Sequence, residues 1–238
     1  AKMGQAGDGS GPFVCAMSQG TSGDQMWMDY GAEKKTISLD TYASAVADNA
    51  MTALKSVRHH DQATLAMVEK TLQLGYRTPD EKRLAWARPI AAKIENDQPK
   101  DKQEVYAREA LILHERQKTT LKLQAIRVGT DQLDDLTIAT LPNEVYALTG
   151  LQLRWQARFA THFNISLANG AEGYIPPVEQ HELGGYTTWP ARTAGLEVGA
   201  EKTIRGMLGL MLEKINPSRG RGISHDASPY AMAIIDPQ

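Results

Sequence analysis

Two short apolar runs, each followed by a polar loop, stand out in the second half of the chain. Residues 136–141 (LTIATL) lead into a loop that contains Glu144, and residues 163–168 (FNISLA) lead into a loop that ends at Tyr174. Short runs that contain β-branched residues and are bounded by proline or glycine are typical of buried strands. Ligands bind at the carboxyl ends of strands in open α/β sheets, so Glu144 and Tyr174 are candidates for one site.

The segment between the two runs predicts a helix from Asn143 to about Phe159, with Asn143 or Pro142 at its start. Apolar residues recur at Val145, Leu148, Leu151 and Trp155, the spacing of three to four that marks one helical face. Strand, helix and strand in this order form a right-handed crossover whose strands are parallel. The two loops are therefore expected to meet at one edge of a sheet.

A third apolar run, residues 12–18, leads into the loop of residues 19–25 (QGTSGDQ). This loop is dense in small and amide residues, and its backbone N–H groups can face an anion or a polar substrate. A tight turn in which Asp24 caps a helix or the turn itself explains the same residues equally well.

The remaining pattern predicts a scaffold around these loops. Residues 63–77 alternate between apolar and polar positions yet also fit a helix, so this segment stays open. The other predicted elements are helices over 41–57 with Asp40 as cap, from Thr78-Pro79 to about 95, over 101–118 and over 197–215, and a β-hairpin of 121–128 and 136–141. The expected fold class is α/β, with a mixed, partly parallel sheet flanked by helices.

Composition excludes some classes of protein. With 238 residues, 42% hydrophobic and 23% charged, the chain is long and apolar enough to bury a core. The 26 basic and 28 acidic residues make the chain nearly neutral, and the sequence has no basic patch interleaved with aromatics. Nucleic acid is therefore not an expected partner. No apolar run approaches the length of a transmembrane segment. The single cysteine, Cys15, lies in an apolar run and is expected to be buried.

Four motifs carry a resemblance to a known family. They are residues 19–25, Leu141-Pro-Asn-Glu144, residues 167–176 (LANGAEGYIP) and Gly184-Gly-Tyr186. In order and spacing they resemble the second half of the catalytic domain of the neutral ceramidase family, and more closely its bacterial relatives of unassigned substrate. On this resemblance, 1–216 is the C-terminal half of such a domain and 217–238 an irregular tail or linker. It also favours an extended conformation for 63–77 and an exported, periplasmic or extracellular protein.

The resemblance implies a zinc site. Family members hold zinc with two histidines from the first half of the domain, a glutamate in a Leu-Pro-Gly-Glu motif and a tyrosine in an Asn-x-x-x-x-Tyr motif. The matching positions are Glu144, with Asn143 in place of the glycine, and Tyr174, five residues after Asn169. Zinc accepts carboxylate beside imidazole and activates water. The implied function is a zinc-dependent hydrolase of an amide or related acyl bond in a small-molecule or lipid-like substrate.

One departure from the family concerns the first motif. In ceramidases it reads Gly-Asp or Gly-Asn, one further residue, then Ser-Pro-Asn, and the serine is essential. Aligning Gly23-Asp24 places Met26 at the serine position, and a thioether neither donates a hydrogen bond nor acts as this nucleophile. The expected substrate is therefore not ceramide, and Asp24 and Gln25 become the candidate catalytic residues that position it. The alternative is a non-catalytic binding or structural protein that retains the fold.

The second departure is that none of the six histidines matches the family's metal-binding motifs. His59 and His60 are adjacent, and His181 lacks the second histidine of a zinc-protease helix. We expect the zinc-binding histidines to come from a second chain that carries the N-terminal half of the domain, because half a sheet would expose an unpaired edge. A small self-sufficient domain is the alternative.

Residues 175–190 are rich in proline, glycine and aromatics, which is typical of a lid or pocket wall. Tyr186, Trp189 and Arg192 are candidate substrate contacts, with arginine suited to a carboxylate or phosphate. Ser22 and Asn169, from two of the other motifs, complete the candidate substrate-binding set. Packing of this loop onto its own domain explains the three larger residues equally well.

Overall fold

Alternating apolar and polar residues in 64–75 and 118–129 form two long strands.

The computed structural model describes residues 15–58, 62–129, 135–159 and 161–216. The helices are α1 (Leu39–Leu54), α2 (Glu81–Ala91), α3 (Lys102–Arg116), α4 (Ala147–Ala157), α5 (Val178–Leu183) and α6 (Ala200–Lys214). The strands are β1 (Thr64–Gly75), β2 (Lys118–Gly129), β3 (Leu136–Thr140), β4 (Glu144–Val145), β5 (Thr161–Ile165) and β6 (Tyr174–Ile175). Short 3₁₀ turns cover Glu95–Asp97, Tyr186–Thr188 and Arg192–Ala194.

The central sheet is mixed, as the sequence predicts. β1 and β2 pair antiparallel, from Thr64 opposite Gly129 to Gly75 opposite Lys118. Of the segment 63–77, which fits either a strand or a helix, residues 64–75 therefore form a strand. β2 pairs antiparallel with β3, and β3 pairs parallel with β5, which gives the order β1-β2-β3-β5. β4 and β6 form a separate two-stranded parallel sheet. The expected α/β class, the β2-β3 hairpin and the parallel crossover are confirmed.

The main core lies between the sheet and the helices α4 and α6. β2 shows the expected alternation, because Leu121, Leu123 and Ala125 are buried while Lys122 between them is exposed. The apolar residues that the helical spacing of 197–215 predicts to be core are buried in α6. They are Ile204, Leu208, Met211 and Leu212, with Met207 partly buried beside them. A second, smaller cluster of alanines joins α2 to α3.

Side-chain caps fix where the helices begin. Asp101 accepts a hydrogen bond from the backbone at the start of α3, where the sequence predicts it. Asp80 caps α2 in the same way, so α2 begins at Glu81 rather than at Thr78-Pro79, and it ends at Ala91 rather than near residue 95. In α1 the cap is Ser38 rather than Asp40, and its hydroxyl accepts from the N–H of Thr41 at 3.1 Å. No side chain of α1 is buried.

The prediction for α4 is wrong in two respects. The helix begins at Ala147 rather than at residue 143, because Glu144 and Val145 pair with β6 as a strand. The apolar face of Leu148, Leu151 and Trp155 points away from the core, and Trp155 is 57% exposed. The buried face instead carries Thr149, Gly150, Leu153 and Ala157. Periodicity identified an apolar face but not what that face contacts.

Two further expectations have different outcomes. Cys15 is exposed and lies outside any strand, so the expectation that it is buried is wrong. No helix in the described part of the chain is both long and apolar enough to cross a membrane. The predictions for residues 12–14 of the third apolar run, for His59 and His60, and for the tail 217–238 concern residues outside the described ranges.

Candidate functional site

The candidate site forms where β4 pairs with β6. Glu144 lies directly opposite Tyr174 in this parallel pair, and the Glu144 N–H donates to the carbonyl of Gly173 at 2.9 Å. The predicted proximity of Glu144 and Tyr174 is thereby confirmed. Both residues follow the carboxyl ends of the parallel strands β3 and β5, so the crossover places them on one edge of the central sheet.

Asn143 fastens the two loops to each other. Its side chain is fully buried, and its Nδ2 donates to the carbonyls of Glu172 and Gly173, each at 3.4 Å. The N–H of Glu172 donates in turn to the Pro142 carbonyl at 2.7 Å. Asn143 therefore ties the Tyr174 loop to the Glu144 turn.

A third aromatic residue joins the pair. The hydroxyl of Tyr186 lies 3.5 Å from that of Tyr174, and the two rings meet edge to face with centroids 5.5 Å apart. Burial raises the pKa of the Tyr174 hydroxyl, and hydrogen bonds to Tyr186 and Glu144 and the charge of Glu144 raise it further. The phenol is accordingly protonated at neutral pH and faces the Glu144 carboxylate.

The first loop, residues 19–25, packs against the same place. The N–H of Gly23 donates to the Val145 carbonyl at 2.7 Å, and the Gln19 carbonyl accepts from the N–H of Ser166 at 2.9 Å. A Cβ at Gly23 would lie only 2.9 Å from the backbone oxygen of Glu144, so only glycine permits this approach. The three loops that the sequence singles out therefore meet.

Asp24 occupies the capping position that the sequence leaves open as an alternative. Its Oδ1 accepts from the N–H of Ala147, the first residue of α4, at 2.8 Å, and from Nε2 of Gln25 at 3.3 Å. The Ser22 hydroxyl accepts from the Gln19 amide and donates to the Gly20 carbonyl at 3.5 Å. Asp24 and Ser22 thus shape the loop, and the catalytic and substrate-binding roles of Ser22, Asp24 and Gln25 stay predictions.

A cleft of about 410 Å³ opens beside these loops, and we name it the Tyr186 cleft. Asp24 and Met26 line one side of it, and Leu148 and Tyr186 line another. Met26 is 54% exposed. The hydroxyl of the buried Tyr146 lies 2.6 Å from the hydroxyl of Thr187 and holds the Tyr186–Thr188 turn over the cleft.

Two of the predicted substrate contacts lie elsewhere. Asn169 donates from Nδ2 to Oε1 of Gln124 at 3.1 Å and faces a hollow of about 270 Å³ above β1 and β2. Trp189 packs edge to face on Tyr106 of α3, with centroids 5.5 Å apart, and lines a different cavity from Tyr186. Asn169 and Trp189 therefore line cavities other than the Tyr186 cleft.

Arg192 forms an ion pair that the sequence does not predict. Its guanidinium contacts both carboxylate oxygens of Glu109, the shortest distance being 2.7 Å, and its backbone N–H donates to the same carboxylate at 2.9 Å. Burial raises the pKa of Glu109, but hydrogen bonds and charge from Arg192 outweigh it and lower the pKa overall. Glu109 lies between Ala107 and Ala110 on the buried side of α3. Its place beside these small residues is the feature of the sequence that indicates a buried glutamate.

The described residues offer two oxygen ligands for a cation but not a complete site. In ranges 15–58, 62–129, 135–159 and 161–216, no three His, Cys, Asp or Glu side chains cluster as metal ligands do. His162 is buried between the Thr137 hydroxyl at 2.9 Å and the side-chain oxygen of Asn164 at 3.1 Å. Burial lowers the pKa of His162, consistent with an ordinary core histidine.

We predict that Gly23→Ala displaces the first loop from Glu144 and lowers the free energy of unfolding by about 1–3 kcal/mol, because the new methyl group meets backbone atoms. Gly20→Ala is the matched control, since a Cβ there meets nothing within 4 Å. Chemical denaturation of both variants measures the difference. Equal stability of the two variants would contradict the close approach.

We predict that Glu109→Gln lowers the free energy of unfolding at pH 7 by about 1–3 kcal/mol, because the charged hydrogen bonds to Arg192 are lost. The folded-state pKa of Glu109 lies below the ordinary value of 4.5, so the pair stabilises the fold above that pH and loses its effect as the pH falls through the folded pKa. Wild-type protein should therefore lose more stability than the variant on acidification. Glu115→Gln, exposed on the same helix, serves as control and should match wild type.

Comparison with known proteins identifies no family for this chain. No protein-family model matches it, and no curated protein is similar to it at a significant level. The resemblance to neutral ceramidases accordingly rests on the four sequence motifs.

Proposed function

We propose that this chain supplies part of the zinc site of a hydrolase that cleaves an amide or related acyl bond other than that of ceramide. The observation that carries the proposal is the direct pairing of Glu144 with Tyr174, held by the β4-β6 hydrogen bonds and by Asn143. A carboxylate is an established zinc ligand, and the tyrosine matches the family motif. The two oxygens would fill two positions of the metal site.

The residues present fit a cation in their chemistry. Glu144 and Tyr174 are adjacent and only partly buried, so a ligand from outside can reach them. When bound, zinc would supply Lewis acidity and activate water for attack on an acyl carbon. Two oxygens do not complete a four-coordinate site, so the histidines implied by the family resemblance have to come from outside the described residues.

The Tyr186 cleft suits the acyl part of a substrate. Met26, Leu148 and Tyr186 give it an apolar wall. Glu144 and Tyr174 do not line the cleft themselves, but the Tyr186 ring contacts that of Tyr174. Because the carboxylate of Asp24 is engaged at the start of α4, its proposed role is to hold Gln25 and the loop in place. Gln25 is exposed, and its amide would donate a hydrogen bond that orients the substrate.

We further propose that the histidines are carried by a second chain with the N-terminal half of the domain. Leu148, Leu151 and Trp155 form an exposed apolar face on α4. The half-exposed Phe163 lies on β5, an edge strand of the described sheet. An apolar helix face beside an unpaired strand edge is the kind of surface that a partner covers.

The alternative function is binding without catalysis. The observation that favours it is Met26, whose thioether lines the cleft where a ceramidase has its serine. Such a protein would bind an apolar ligand in the Tyr186 cleft and would not need zinc. Zinc content therefore separates the two functions.

We predict that the native assembly, purified without chelators, contains zinc in stoichiometric amount and that Glu144→Ala reduces it to a trace, because a ligand is removed. Elemental analysis measures zinc, and far-UV circular dichroism checks that the sheet is retained. Glu179→Ala, an exposed glutamate on α5, should keep its zinc. Absence of zinc from wild type, or full zinc in Glu144→Ala, would refute the metal site.

We predict that Trp155→Glu prevents a second polypeptide from co-purifying with this chain, because it puts a charge on the exposed apolar face of α4. Its free energy of unfolding should stay within about 0.5 kcal/mol of wild type, since the residue contributes little to the chain's own core. Arg154→Glu, on a neighbouring exposed position, is the control. A wild-type chain that purifies alone and still carries zinc would overturn the two-chain proposal.

A further inference from the structure

A second cavity lies between α2, α3 and the segment around Trp189, and we name it the Trp189 cavity. Its volume is about 660 Å³, within the range of sites for small molecules. Most of its lining is apolar, and Trp86, Tyr106 and Trp189 supply three aromatic rings. It shares no lining residue with the Tyr186 cleft.

Three cationic side chains, Arg77, Arg83 and Lys102, also line the Trp189 cavity, and no acidic side chain lines it. None of the three takes part in an ion pair with another described residue. The cavity therefore combines an apolar interior with excess positive charge, and it is complementary to a ligand that carries an anionic group on an apolar body.

Arg77 is the least solvated of these cations. Its guanidinium donates to the Ala194 carbonyl, while its Nε is buried and has no hydrogen-bond partner in the described part of the chain. His181 of the neighbouring α5 is close enough for the charge of Arg77, after burial, to lower the pKa of that histidine. A partly buried cation without a counter-ion is costly, and an anionic ligand would offset that cost.

The other two cations are placed on aromatic faces. The guanidinium carbon of Arg83 lies 3.7 Å from the centroid of the Trp86 ring, and Nζ of Lys102 lies 6.0 Å from that of Trp189. These contacts hold the charges beside flat apolar surfaces. A flat ring in the ligand could stack on the same surfaces while its charge meets the cations.

The local backbone favours a carboxylate over a phosphate. Helix N-termini are the usual phosphate sites, and both α2 and α3 begin beside this cavity. Their first turns are already capped by the carboxylates of Asp80 and Asp101, which accept from backbone N–H groups at 2.8 and 2.9 Å. These acidic caps repel any anion, but they repel a doubly charged phosphate more than a singly charged carboxylate, whose two oxygens also match a guanidinium fork.

We propose that the Trp189 cavity is a binding site for a small aryl carboxylate, with Arg77 pairing with the carboxylate and the aromatic rings enclosing its body. This proposal does not depend on the zinc site. Trp189, expected from the sequence to contact the substrate near Glu144, would instead contact this second ligand. Arg83 would add a second, more exposed positive charge.

The test uses the full chain and 2-naphthoate as probe, with affinity measured by calorimetry. We expect a dissociation constant of about 1 mM or below, and binding of the neutral isostere 2-naphthalenemethanol that is weaker by about tenfold or more. Changes in the indole N–H resonances of Trp86 and Trp189 would locate the ligand. No saturable binding, or equal binding of the neutral isostere, would overturn the proposal. Tighter binding of phenyl phosphate or of decanoate would overturn the assignment to an aryl carboxylate.

Variants of the cations complete the test. Arg77→Gln should weaken 2-naphthoate binding by about 10- to 100-fold, the loss expected for a charge-assisted hydrogen bond. Since Arg77 also bonds to the Ala194 carbonyl, Arg83→Gln is a second variant at an exposed position and should weaken binding by about threefold or more. Arg88→Gln, on α2 but outside the cavity lining, should bind as wild type does. Unchanged affinity in a folded Arg77→Gln or in Arg83→Gln would contradict the proposal.

Discussion

The parallel pairing of β4 with β6 is the constraint on which the candidate site depends. Each strand has only two residues, so the pair draws its stability from its surroundings. Asn143 bonds across it, Gly23 donates to Val145, and Glu144 donates to Gly173. These contacts use backbone groups from three loops that are far apart in sequence. Without these contacts Glu144 and Tyr174 would lie at the same edge of the sheet but would not be held next to each other.

Much of this arrangement could be predicted because it follows from connectivity. A strand, a helix and a strand in close succession leave one topology, so the loops after β3 and β5 had to emerge on the same side. The core of α6 was readable for a similar reason, since Ile204, Leu208 and Leu212 repeat at helical spacing. In the crossover and in α6, the spacing of apolar residues along the chain therefore agrees with the packing in the folded protein.

The features that were missed depend on distant partners. The face of Leu148, Leu151 and Trp155 has the spacing of a core face, yet α4 turns its other face inward. There Leu153 is buried and Gly150 lies too close to Thr21 to carry a side chain. Glu109 lies in a helix rich in charged residues, and only its contact with Arg192, far along the chain, explains its burial. Spacing reports which residues share a face and not what will lie against it.

The segment that carries Tyr186 and Trp189 is held at several points along its length. Thr187 bonds to Tyr146, Arg192 to Glu109, and the carbonyl of Ala194 accepts from Arg77. Gly173 packs so closely against the carbonyl of Thr193 that a side chain there would overlap it. One inserted residue would break the spacing between these anchors. In evolution this segment should therefore vary by substitution at fixed length, although it has the composition of a surface loop.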